Sequence, residues 1–125
     1  AAEGPLLVLN EPVSFWGGVD PVSGRIRDAH HAQAGKVVTG TVLVMSGGRG
    51  SSSASTVLAE MIRTGTAPGA IVLGRPDAIV VLGAVVAAEL YHLVMPIIMV
   101  PTGDLATLMS GEKARVAEDA RLFVG

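Results

Sequence analysis

Between a β-branched run and a helical pattern the chain reads Ser46-Gly47-Gly48-Arg49-Gly50-Ser51-Ser52-Ser53. Glycines let a backbone turn tightly, and the free amides at a helix start, aided by the helix dipole, attract an anion. Arg49 adds a guanidinium that can grip a carboxylate or a phosphate with two hydrogen bonds. The same residues also suit a plain helix cap, because serine is among the best N-caps and such turns need glycine. Chemistry alone leaves both readings open. The segment has no Gly-Lys-Ser/Thr at the spacing of a nucleotide-hydrolase phosphate loop, and it is not a dinucleotide fingerprint.

Other residues offer chemistry with a structural alternative beside each. His30 and His31 could bind a metal or move protons, yet adjacent histidines in a polar stretch are more often solvated loop residues. Glu11 and Asp20 could be functional carboxylates, but each precedes a proline and fits a turn equally well. Trp16, followed by Gly17 and Gly18, could line a pocket or anchor its loop to the core. Tyr91 and His92 are expected to close a helix.

Regular elements must position these groups. Residues 6–9 form a short aliphatic run ended by Asn10-Glu11-Pro12, which predicts a strand entering a turn. The stretch around Phe15 and Trp16 alternates bulky residues with turn formers, and residues 35–38 return to strand-like types. Strands are expected at 42–45, 70–73 and 97–100. Between them, residues 53–63 carry Val57, Leu58, Met61 and Ile62 on one helical face, stopped by Thr64-Gly65. Pro76-Asp77 opens a second, strongly apolar helix that ends near Tyr91. Strand, helix, strand, helix, strand at these lengths implies right-handed crossovers and a small parallel sheet. Further on, 105–109 reads as a helical turn, and 115–116 and 121–124 as strands around a polar turn.

Composition bounds the function. At 125 residues, one α/β domain covering 1–125 is expected, with a core built from aliphatic residues because only 3% are aromatic. A formal charge of -2 without blocks of like charge removes the attraction on which non-specific nucleic-acid binding depends. The absence of cysteine excludes thiolate-bound zinc or an iron-sulfur cluster ligated by cysteines of this chain. The most apolar stretch, 78–100, is interrupted by Glu89, His92 and Pro96, so a transmembrane helix is not expected. Residues 1–5 lack the basic start of a signal peptide, which makes the cytoplasm the expected compartment.

Several motifs taken in order, Asn10 to Asp20, Asp28-Ala29-His30-His31-Ala32-Gln33-Ala34-Gly35, Gly48-Arg49-Gly50-Ser51-Ser52-Ser53, and Thr66-Ala67-Pro68-Gly69-Ala70-Ile71-Val72-Leu73 with the apolar helix after it, resemble the small swivel subunit or domain of the aconitase X family. Ala32, in place of a proline after the histidine pair, and Ala54, within the serine run, depart from the pattern. The resemblance implies a swivelling β/β/α domain whose active site lies in the cleft against a large subunit. That partner would hold an iron-sulfur cluster or iron, acting as a Lewis acid on the departing hydroxyl of a small acidic substrate; no metal ligand is assigned on this chain. Family members are hydro-lyases that dehydrate cis-3-hydroxy-L-proline or mevalonate 5-phosphate.

The resemblance further implies that Ser51 removes the substrate proton. A hydroxyl is a poor base unless its alkoxide is stabilised, and helix-start amides with a neighbouring Arg49 lower that cost. Arg49, Gly50, Ser52, Ser53, Trp16, Gly17, Gly18, Asp20, His30 and His31 are the expected substrate-binding residues. Ser51-Ser52-Ser53-Ala54-Ser55 resembles the bacterial hydroxyproline enzymes, whereas phosphomevalonate dehydratases usually have Ser-Thr-Val-Gly-Ser there. A phosphate would favour a second basic anchor, and the only lysines, Lys36 and Lys113, lie outside the segment. The leading expectation is therefore a cis-3-hydroxy-L-proline dehydratase subunit active only with its partner. The alternatives are a mevalonate 5-phosphate dehydratase small subunit, a non-catalytic binding or assembly domain of the same fold, and a stand-alone anion-binding protein.

Overall fold

The structure is a computed structural model that describes residues 2–11, 13–47, 52–117, 119 and 121–125, with the backbone alone for Ser52 and Thr102. The elements run β1 (Ala2–Val8), β2 (Val42–Met45), α1 (Ser52–Thr64), β3 (Ala70–Leu73), α2 (Ala78–Tyr91), β4 (Ile97–Met99), α3 (Thr102–Leu105), β5 (Lys113–Val116) and β6 (Leu122–Val124). Among the described residues the strands form one sheet in the order β4-β3-β2-β1-β5-β6. β1 to β4 are mutually parallel, with Leu6 beside Val42, Val42 beside Ala70 and Ile71 beside Ile97. β5 and β6 continue the sheet antiparallel. The expected α/β class and its parallel β-α-β-α-β core, β2-α1-β3-α2-β4, are present, with flanking strands.

The central strands read as continuous aliphatic runs because both faces of the sheet are covered. Alternation along a strand sends Leu43, Met45, Ile71 and Leu73 to one face. There they meet Leu58 and Met61 of α1, Val80 of α2, and Val13, Phe15, Val19, Ile26 and Val38 of the segment joining β1 to β2. Val42, Val44, Ala70, Val72 and Ile98 point the other way, onto Leu105, Ala114 and Val116. The irregular 9–41 segment thus does what a crossover helix does elsewhere: it links two parallel strands and covers the sheet.

The two helices differ. α1 buries Ala54, Leu58 and Met61 and turns Thr56, Glu60 and Arg63 to solvent, where the Arg63 guanidinium pairs with the Glu60 carboxylate. α2 buries Val80, Gly83 and Ala87 and leaves Val81, Leu82, Val85 and Leu90 exposed. A Cβ on Gly83 would stand 2.9 Å from the Ser55 carbonyl oxygen, so the small residue sets how closely α2 approaches α1. Asp77 caps α2 by accepting from the Ile79 and Val80 amides at 2.9 and 3.0 Å. His92 closes the helix in the left-handed region at φ 57°, donating to the Ala88 carbonyl. Among the described residues no helix is long and apolar enough to cross a membrane.

Three elements depart from expectation. β1 begins at Ala2, because Ala2 to Pro5 pair antiparallel with residues 113–116, a partner too distant in sequence to be foreseen. Residues 35–38 form no named strand: a single bridge joins Arg25 to Val37, with short ladder bonds between Ile26 and residues 35–36. The helical turn expected at 105–109 begins at Thr102, since the Pro101 carbonyl accepts from both Asp104 and Leu105.

Candidate functional site

All four parallel strands deliver their carboxyl ends to one edge of the sheet, the usual position of a ligand site in α/β folds. Ladder bonds continue past the strand ends: Leu9 donates to Val44 at 2.8 Å, Gly74 to Met45 at 3.2 Å and Val100 to Leu73 at 2.9 Å. Asn10, Ser46, Gly74 and Pro101 therefore leave the sheet side by side. The glycine-serine segment departs from this edge after Met45, and α1 begins at Ser52. A cleft of about 230 Å³ opens here, lined by Val8, Leu9, Val44, Met45, Ser46, Leu105 and Ala106.

Gly48, Arg49, Gly50 and Ser51, and hence the expected base, lie outside the described residues, as does the Ser52 side chain. Ser53 is exposed in the first turn of α1.

The loop after β1 carries a buried and fully engaged polar group. His31 is 5% exposed, and both of its ring nitrogens are engaged. Nδ1 accepts from the Gln33 amide at 3.0 Å, which leaves the proton on Nε2, and Nε2 donates to the Glu11 carbonyl at 2.9 Å. The Glu11 carboxylate accepts from the Ala32 amide at 3.0 Å. Gln33 donates to the Val8 carbonyl and accepts from the Asn10 amide. Glu11, His31 and Gln33 thereby tie residues 30–33 to the exit of β1. His30 is exposed, its amide donating to the Asp28 carboxylate at 3.0 Å.

Trp16 is 61% exposed on a tight turn, its amide donating to Ser14 Oγ. Gly17 follows, its carbonyl accepting from Arg27 Nε at 3.2 Å; Gly18 is buried and bonded to Ser14 and Arg27. Asp20 lies elsewhere. Its carboxylate accepts from the Val22 amide at 2.9 Å, and that hydrogen bond, aided by Ser23 and the Arg27 charge, holds it below the ordinary aspartate range. The adjoining Pro21 carbonyl accepts from Thr66 Oγ1 at 2.7 Å, just beyond the C-terminus of α1. A helix of 13 residues is roughly 20 Å long, so the Asp20 turn stands at the opposite edge of the sheet from the start of α1. Among the described residues no hydrogen bond or ion pair joins Trp16, Asp20 or His30 to Ser46 or Gly47.

One side chain at the carboxyl edge was missed by the sequence reading. Arg75, immediately after β3 and Gly74, lies across Gly47: a Cβ there would stand 2.5 Å from Arg75 Nε and 3.1 Å from Cγ. The basic neighbour sought among the lysines is thus an arginine from the next strand exit. Its signal was available, since a charged residue directly after a buried parallel strand faces this edge.

No cysteine is present, and among the described residues no group of three or more His, Asp or Glu side chains could hold a metal. The described residues do not fit an iron or cluster site.

The sequence model of the aconitase X swivel domain matches residues 1–124. The chain is 48% identical over 97 residues to the cis-3-hydroxy-L-proline dehydratase of Pseudomonas aeruginosa, covering 78% of this chain and 17% of that protein. It is 41% identical over 117 residues to the phosphomevalonate dehydratase small subunit of Methanopyrus kandleri, covering 91% of this chain and 87% of that one. It thus spans less than a fifth of the hydroxyproline dehydratases it matches and most of the small subunits. The crystal structure of Thermococcus kodakaraensis aconitase X in its holo-form superimposes with a TM-score of 0.82 at 34% identity, over 98% of this chain and 88% of that one.

Proposed function

The chain belongs to the aconitase X swivel-domain family, and from that premise we propose that it is the swivel half of a hydro-lyase that dehydrates cis-3-hydroxy-L-proline. The observation that carries the reading is the setting of the glycine-serine segment: it joins a central parallel strand to a helix start at the carboxyl edge of the sheet. Helix-start amides in such a setting favour negative charge, as a serine alkoxide requires. Ser51 is the base that takes the substrate proton, and Arg49 helps to orient the carboxylate. His31 serves by fixing the β1 loop rather than by proton transfer, because both its nitrogens are already committed.

A large partner subunit completes the cleft and holds the iron or iron-sulfur centre. On this reading the isolated chain folds but turns nothing over. The identity of 48% to a hydroxyproline dehydratase and the Ser51-Ser52-Ser53-Ala54-Ser55 run support the cyclic substrate. A second reading, a phosphomevalonate dehydratase small subunit, is favoured by the 41% identity to such a subunit, 87% of whose length the chain covers.

The test is catalytic efficiency of the reconstituted complex on both substrates side by side. Higher kcat/KM for cis-3-hydroxy-L-proline is expected. A preference for mevalonate 5-phosphate selects the second reading, and turnover of neither substrate, with a partner bound and metal loaded, removes the dehydratase assignment.

A further inference from the structure

We propose that Arg75 is a substrate-anion residue of this site, its guanidinium taking the carboxylate of the substrate as it enters over Gly47. The inference deepens the dehydratase reading and rests on it for the identity of the ligand. Three observations carry it. First, Arg75 sits where two strand exits meet, since Gly74 donates to the Met45 carbonyl at 3.2 Å and a Cβ on Gly74 would stand 3.3 Å from the Ser46 carbonyl oxygen. Second, Gly47 is buried, and a Cβ on it would collide with the Arg75 side chain, so the absence of a side chain at 47 is what admits Arg75 to the mouth of the glycine-serine segment. Third, Arg75 is exposed, and among the described residues no hydrogen bond or ion pair engages it.

The nearest carboxylate in sequence, Asp77, is turned away: its Oδ1 already accepts from Ile79 and Val80 at the start of α2. Four other arginines are occupied, Arg63 by Glu60, Arg121 by Asp119, Arg25 and Arg27 by the Gly35 and Gly17 carbonyls. A guanidinium that lies over Gly47 through its Nε and Cζ, with no acceptor among the described residues, is suited to a planar carboxylate through two parallel hydrogen bonds. Lysine, a point charge, would reproduce the attraction without the bidentate geometry.

The experiment uses the assembled complex with its large subunit, as wild type, Arg75→Gln and Arg75→Lys. Calorimetric binding of L-proline, L-prolinamide and inorganic phosphate is measured on each. Wild type is expected to bind L-proline at least about tenfold more tightly than the uncharged amide, a difference of about 1.4 kcal/mol. Arg75→Gln should erase that preference and Arg75→Lys restore part of it, with the thermal unfolding midpoint unchanged. In turnover, Arg75→Gln should raise KM about tenfold or more with kcat little altered. Undiminished preference for proline in Arg75→Gln, no proline binding to wild type, or phosphate binding without proline binding would each overturn the proposal. The two readings fail separately: a wild-type complex that binds proline through Arg75 but dehydrates neither substrate sinks the dehydratase assignment alone, whereas normal turnover and an unchanged KM in Arg75→Gln sinks Arg75 alone.

Discussion

The exits of β1 and β3 lie on the same edge of the sheet, yet their polar side chains are used in opposite ways. After β1, Glu11, His31 and Gln33 spend their hydrogen-bonding capacity on backbone groups of the same loop. After β3, Arg75 lays its guanidinium across Gly47 and, among the described residues, keeps its charge unspent. A buried polar group must be satisfied from within, because leaving it unpaired costs on the order of 1–3 kcal/mol. An exposed one carries no such obligation and remains available to a ligand. Residue type alone therefore does not separate a scaffold residue from a site residue; the partner list does.

Substitutions can break or sharpen this contrast. The largest effect is expected at the segment between the two exits: Ser51→Ala in the assembled enzyme should lower kcat by about two to four orders of magnitude, the usual contribution of a general base. Stability should fall by no more than about 1 kcal/mol, the cost of a lost cap, as read by denaturant unfolding. Near-normal turnover in Ser51→Ala, with loss on substitution of Ser52 or Ser53, would move the base along the segment.

His31→Ala should behave as a scaffold lesion. Removing the ring strips partners from the Gln33 amide and the Glu11 carbonyl, so unfolding free energy should drop by about 1–3 kcal/mol. If instead His31→Ala leaves stability intact while abolishing turnover, the β1 loop is part of the catalytic machinery and the contrast fails.

Asp77→Ala should cost about 1 kcal/mol by removing the cap of α2, measured as a lowered denaturation midpoint. Because its carboxylate serves the helix rather than Arg75, KM should be unaffected; a changed KM would show the two side chains to be coupled.

The smallest effect is at Asp20, at the far edge. Its folded-state pKa lies below the ordinary aspartate value, so it contributes stability above that value and loses it as the pH falls through the lowered one. The stability difference between wild type and Asp20→Ala should therefore be present at neutral pH and vanish in acid. Turnover at neutral pH should not change, and a large kinetic defect would bring Asp20 back to the substrate.

The α/β class, both long helices and the central strands were legible because hydrophobic period and cap chemistry are local properties. Val57, Leu58, Met61 and Ile62 mark a buried face of α1, and Asp77 announces the start of α2. The place of the glycine-serine segment between β2 and α1 was legible for the same reason, since that strand and helix adjoin in sequence. Pairings across long separations were not. Nothing local in Ala2-Glu3-Gly4-Pro5 names Lys113-Ala114-Arg115-Val116 as its neighbour. Nor does anything near Arg75 name Gly47, or anything near Asp20 reveal that Thr66, just beyond the end of α1, anchors its turn. Sequence by itself determined which residues could do chemistry and which elements would carry them. Only the tertiary structure decided which of those groups were already engaged, as His31 is, and which were set free at the carboxyl edge, as Arg75 is, because satisfaction of a polar atom depends on contacts that chain order does not encode.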